Sequence, residues 1–230
     1  MEGNLENKFT LLSELLHTYL NKDVSGFLNI DNISAYNNLI RILVYRRGNL
    51  LNKSELASSI NISFETVNKY LDALEGTFVF SYLPPYFTNV RKEITKMPKV
   101  YIEDFGLVRY ISNSKKIEDY TTLEGKDIEN YSYRYFRRIL GASNVFYYRT
   151  ISKSEIDLIG IYGEEFIPVE VKFTNKIRDN ISLPMKNFTE NYKKIHSYIF
   201  ISKNTLSFDK EKNIYFIPVY LLEFIKDFEK

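Results

Sequence analysis

The stretch that most restricts how this chain can fold runs from Glu155 to Phe173, EIDLIGIYGEEFIPVEVKF. Two apolar runs flank Gly163-Glu164, which reads as a two-residue hairpin turn between strands 155–162 and 166–173. Side chains alternate across a strand, so Glu155 and Asp157 share one face of the first, and Glu170 and Lys172 share one face of the second. With a two-residue turn, Asp157 falls opposite Glu170 and Glu155 opposite Lys172; a three-residue turn shifts the pairing by one. Like charges facing one another within apolar strands are destabilising and need a counter-charge. A hard divalent cation supplies one, with Glu129, at the edge of an upstream helix's apolar stripe, as a further ligand. A lone Glu-x-Lys is the pattern of any solvated strand face, and Glu155 with Lys172 that of an ordinary salt bridge. The ordered set of helix Glu, strand Asp, hairpin and strand Glu-x-Lys is far more specific.

The residue inventory narrows the chemistry. Cysteine is absent and the only histidines are His17 and His196, so thiolate zinc sites are excluded and imidazole sites are poorly supplied. An oxygen-ligated metal, magnesium or manganese, is the expected cofactor, held by Glu129, Asp157 and Glu170. Such a site suits attack of water on a phosphodiester, with Lys172 positioning the water or stabilising the charge that develops on phosphorus. These four residues are the candidate catalytic set. A net charge of +2 does not by itself point to nucleic acid.

At 230 residues and 44% hydrophobic, the chain suffices for one large or two small cores. Its longest apolar stretch, 216–225, is broken by Pro218 and Glu223 and is short for a membrane span. The first residues lack the apolar core of a signal peptide, so a cytoplasmic protein without membrane contact is expected. Gly125-Lys126 lacks the other positions of a phosphate-binding loop, and no ATP site is expected in this chain. Asp104-Phe105-Gly106 is read as a turn, since no other element of a kinase accompanies it.

Taken in order, apolar residues at helical spacing mark a helix over 8–20, and residues 1–33 form an N-terminal helix and connector. Residues 34–112 form a second region. A helix runs from Ser34 to Arg47 and stops at Gly48. Asn52 with Glu55 resembles a capping box opening a short helix to Ile60, and Ser63 caps a third helix, 64–75. The last two helices read as a helix-turn-helix, and strands within 78–83, 90–95 and 99–102 would add a wing. Candidate nucleic-acid contacts are Asn68 and Lys69 on the third helix, Arg91, Lys92, Lys96 and Lys99 on the wing, and Arg149 beyond it. Glu65, Asp72 and Glu75 oppose phosphate approach to the helix, so the wing is the better surface. A polar stretch, 112–122, marks the boundary to a third region, 113–230. There a helix over 125–140 precedes strands 144–149, 155–162 and 166–173, a helix over about 182–194, strands 197–202 and 214–217, and a last helix from Tyr220. The fold class expected is mixed α and β: helices with a winged helix, then a mixed sheet flanked by helices.

Residues 121–175 resemble the PD-(D/E)xK nuclease-like fold, with Glu129, Asp157, Glu170 and Lys172 matching its acid–acid–x–lysine signature. More broadly, the chain resembles the C-terminal part of a prokaryotic AAA-type ATPase family of unknown function, in which a winged helix and a nuclease-like domain follow the ATPase. The matching pieces are LNKSELASSINISFETVNKYLDALEGTFVFSYLPPY, NVRKEITKMPKVYIEDFGL, EGKDIENYSYR, FYYRTISKSEIDLIG and FIPVEVKF, in that order. The ATPase part and its phosphate-binding loop are missing, and residues 9–24 look like the end of its lid. The resemblance implies a nucleic acid and an ATPase domain or separate ATPase subunit as partners, with a homo-oligomer left open. It implies a metal-dependent nuclease-like protein, or else a non-catalytic interaction module with a relict acidic site.

Overall fold

The computed structural model describes residues 10, 11, 13, 14, 18, 30, 32–87, 97–111, 123–150, 153–174 and 180–225. Most of the helix expected over 8–20, the strand expected over 90–95 and the boundary expected over 112–122 lie outside the described residues. The chain divides into two compact units, Met1–Tyr82 with Lys99–Leu123, and Leu83–Pro98 with Glu124–Lys230.

The first unit is built on three capped helices: α1 (Ile33–Tyr45), α2 (Lys53–Ile60) and α3 (Phe64–Gly76). Asn32 Oδ1 accepts from Ala35 N at 2.9 Å, Asn52 Oδ1 from Glu55 N at 3.1 Å, and Ser63 Oγ from Thr66 N at 3.1 Å. Each of these bonds satisfies one of the donors that a helix start leaves open. The Glu55 carboxylate pairs with Arg46, so the expected capping box keeps its forward half and its acid is drawn to a cation instead. Beyond α1, Gly48 takes φ +79, the left-handed conformation that favours glycine after a helix. The apolar stripes of the helices meet in one cluster with Leu39, Leu43, Leu56, Val67, Leu71, Phe80 and Val100 fully inside. Tyr36 and Tyr70 pack edge to face at 5.4 Å within it.

Strands β1 (Phe80–Leu83) and β2 (Lys99–Ile102) form a two-stranded sheet. The turn expected at Asp104 is instead the start of a helix, α4 (Phe105–Ile111), with Asp104 Oδ1 accepting from Gly106 N at 2.6 Å. Leu107 of α4 joins the cluster, which is why the chain continues helically there.

The second unit opens with α5 (Gly125–Leu140), started by a reciprocal capping box between Glu124 and Asp127. Six strands follow: β3 (Val145–Arg149), β4 (Glu155–Tyr162), β5 (Glu165–Lys172), β6 (Tyr198–Ser202), β7 (Ser207–Asp209) and β8 (Ile214–Pro218). They form one mixed sheet in the order β3-β4-β5-β6-β8-β7. The first three are antiparallel neighbours, and β5, β6 and β8 run parallel. Parallel neighbours require a crossover, and α6 (Leu183–Asn191) lies in the connection from β5 to β6. The edge strand β7 is absent from the sequence reading, and the last helix expected from Tyr220 is a short 3-10 helix, Val219–Phe224.

On one face of this sheet Met185 and Phe188 of α6 pack with Ile156, Ile159, Phe200 and Phe216. Tyr86 enters the same aromatic group, with ring centroids 5.4 Å from Phe146, 5.2 Å from Phe166 and 5.2 Å from Tyr192. Its backbone is tied to β3 through Tyr86 N to Tyr147 O at 2.6 Å and Tyr147 N to Pro84 O at 3.0 Å. The Pro84-Pro85-Tyr86 segment, which lies between strands read from sequence as the wing, therefore packs within the second unit. At Gly160, a β-carbon would stand 2.6 Å from Leu140 Cδ1, so the missing side chain lets α5 lie close to β4.

Phe188 is fully buried and touches four aromatic rings. Phe188→Ala is expected to destabilise the second unit by about 3–5 kcal/mol, measured by urea unfolding. A loss below about 1 kcal/mol would mean that the aromatic group is not a core.

Candidate functional site

The hairpin that carries the acids forms with the register expected from a two-residue turn. Gly163 has φ +60, and the pairs run from Leu158 with Val169 to Tyr162 with Glu165. On the other side of β4 the pairing with β3 slips. Phe146 faces Ile159 while Tyr148 faces Ile156, so Tyr147 opposes both Asp157 and Leu158. This is a β-bulge, and it explains why Ile156 and Ile159, three residues apart, pack into one cluster. Asp157 therefore sits at an interruption of the strand. Its Oδ2 accepts a hydrogen bond from Val171 N at 2.8 Å, a side-chain bond that replaces a ladder bond at the end of the hairpin.

Glu170, in the middle of an apolar strand, is 7% exposed. Lys172 Nζ lies 2.8 Å from its Oε1. Oε2 is buried and has no hydrogen-bond partner among the described residues. An unmet carboxylate oxygen inside a protein is expensive, about 1–3 kcal/mol or more. Lys172 is half exposed. Burial pulls its ammonium pKa down, but the hydrogen bond and charge of Glu170, with the charges of Asp157 and Glu129, outweigh that and hold it above the ordinary lysine value. Glu129, half-buried on the second turn of α5, thus contributes to the field at Lys172. Glu170 and Lys172 are joined directly, and Asp157 and Glu129 act on the same ammonium. Among the described residues, however, no group of three acidic or histidine side chains stands close enough to hold one metal ion.

The ion pair across this region joins Glu155 to Arg149, and that of Lys172 is to Glu170. The cross-strand neighbour of Glu155 is Arg149, whose Nη1 lies 3.2 Å from Glu155 Oε2, while Lys172 is registered beside Ser202 of β6. The pairing of β3 with β4 takes Arg149 into an intramolecular ion pair. Of the expected nucleic-acid contacts in the first unit, Lys99 is 2% exposed within β2, a strand buried at all four positions, and is withdrawn from any phosphate. Asn68 accepts from Lys53 Nζ at 2.8 Å, and Lys69 is exposed on α3. Both line a shallow groove of about 700 Å³ that also carries Glu65 and Asp72. Arg91, Lys92 and Lys96 lie outside the described residues. Reading the sequence missed the orphaned oxygen of Glu170, although an acid inside FIPVEVKF was a signal for it.

Comparison with known proteins gives relatives without assigned functions. Residues 124–222 match the family model described as a domain of unknown function (DUF4143). An uncharacterised protein of Mycobacterium tuberculosis is 32% identical over 51% of this chain and 27% of its own length. An uncharacterised protein of Haemophilus influenzae is 24% identical over 82% of this chain and 46% of its own length. The chain thus spans less than half the length of these curated relatives. A crystal structure of a Vibrio cholerae protein covers 96% of this chain at 9% identity, and its TM-score of 0.28 carries no argument. Residues 2–118, about half of the chain, match the model of another domain of unknown function (DUF8612), and the chain belongs to that family.

Proposed function

We propose that the second unit is a nuclease-like domain of PD-(D/E)xK type that hydrolyses phosphodiesters with a divalent cation. The observation that carries this reading is Glu170: a buried carboxylate with one oxygen on Lys172 and the other without a partner. The donor chemistry fits magnesium or manganese, because every candidate ligand is a carboxylate oxygen. Glu170 and Asp157 would hold the ion, with Glu129 as the ligand from α5. When bound, the cation supplies positive charge that polarises the phosphodiester. Lys172 remains protonated at neutral pH, since its neighbours raise its pKa. It therefore acts as a fixed cation and hydrogen-bond donor to the developing phosphorane, and not as a proton acceptor. The first unit and the segment with Arg91, Lys92 and Lys96 would present nucleic acid, and a AAA-type ATPase is the partner inferred from the sequence resemblance.

A second reading has its own observation. Asp157 Oδ2 is engaged by Val171 N, and no three-acid group is assembled among the described residues. Those facts suit a non-catalytic interaction module of an ATPase with a relict acidic site.

Two experiments separate the readings. Calorimetric titration should give saturable manganese binding that is lost in Asp157→Ala and in Glu170→Gln. Binding that is absent, or that both variants leave intact, favours the module. On single- and double-stranded DNA and RNA, wild type with magnesium should cleave at least one substrate, and Lys172→Ala should slow it by about a hundred-fold or more. For the wing, Arg91→Ala combined with Lys92→Ala should weaken DNA binding and flatten its salt dependence. Unchanged affinity and slope would remove the wing from the interface.

A further inference from the structure

We propose that Lys203, braced over the ring of Phe173, binds the backbone phosphate adjacent to the one that the Glu170–Lys172 pair addresses. This rests on the nuclease-like reading for the identity of the neighbouring site, but its own test is one of binding.

The placement follows from the sheet. Strands β5, β6 and β8 run parallel, so their carboxyl ends lie along one edge of the unit. In open sheets with parallel strands, that edge is where ligands are bound. The β5–β6 register puts Lys172 beside Ser202, so the next residues in the two chains, Phe173 and Lys203, follow as neighbours. Lys203 Nζ stands 5.5 Å from the centroid of the Phe173 ring, within the range of a cation–π contact. That contact restrains an otherwise free four-carbon side chain. The backbone beneath it is restrained as well: Ser202 Oγ donates to Thr205 O and accepts from Thr205 N, both at 2.9 Å.

The two lysines at this edge differ in charge balance. Lys172 is compensated by Glu170, whereas Lys203 is exposed and forms no salt bridge among the described residues. An oriented ammonium at the same edge, without a salt bridge among the described residues, matches a second phosphodiester on a continuous strand. Phe173, half-buried, offers apolar surface beside it for the sugar or base.

The test is fluorescence anisotropy of the full chain with a short labelled single-stranded DNA and the RNA of the same sequence, in EDTA so that cleavage cannot intervene. Lys203→Ala should weaken binding by about tenfold and lower the slope of log K against log salt by about one, and Lys203→Arg should restore both. Thermal melting of each variant checks that the fold is intact. Equal affinity and slope for wild type and Lys203→Ala overturn the subsite, as does a wild type that binds neither strand. Cleavage is scored separately with magnesium. A wild type that binds through Lys203 but hydrolyses nothing keeps the subsite and defeats the nuclease reading.

Discussion

The interaction on which the second unit depends is a carboxylate held inside a sheet. Glu170 is placed by the register of β5 between strands whose neighbouring residues are almost all apolar, and it has given up nearly all contact with water. One ion pair, to Lys172, meets only one of its two oxygens. A chain selected for stability alone would place an apolar residue there, because a half-met buried charge is worse than none. The strain is local and specific, and it lies beside an ammonium whose proton affinity three acids raise. That combination makes this edge of the sheet the place to look for chemistry.

The elements around it have shapes that serve this edge. The bulge in β4 breaks strict alternation at Asp157 and turns the strand's last acid toward the backbone of β5. Gly160 lets Leu140 approach, which lays α5 close to β4, and Glu129 of α5 contributes to the field at Lys172. The aromatic group around Phe188 fixes α6 across the opposite face, and with it the crossover that makes β5 and β6 parallel. The parallel pair then sets Phe173 and Lys203 one residue past Lys172 and Ser202 along the same edge.

Much of this was legible in the residues. The Gly163-Glu164 turn marked the hairpin, and of the two registers left open the structure takes that of a two-residue loop. Helices α1, α2 and α3 were legible from Asn52, Ser63 and Gly48, whose side chain or lack of one sets a helix end. What could not be read depends on partners distant in the chain. The bulge and the Arg149–Glu155 pair exist only once β3 lies against β4. Lys99 looked like a surface cation by its type, yet a strand buried on both faces carries it inward. Asp104 has the makings of a turn and of a helix start, and the place of Leu107 in the core decided for the helix. Strand β7 is three residues of mixed polarity whose only mark is its pairing with β8.

The central claim is that the orphaned oxygen of Glu170 awaits a cation. Crystals of the full chain grown with manganese, with data collected at the manganese absorption edge, test it most directly. The account predicts an anomalous peak within coordination distance of Glu170 Oε2 and of Asp157. A well-ordered site with Glu170 still paired to Lys172 and no peak beside it would contradict the account.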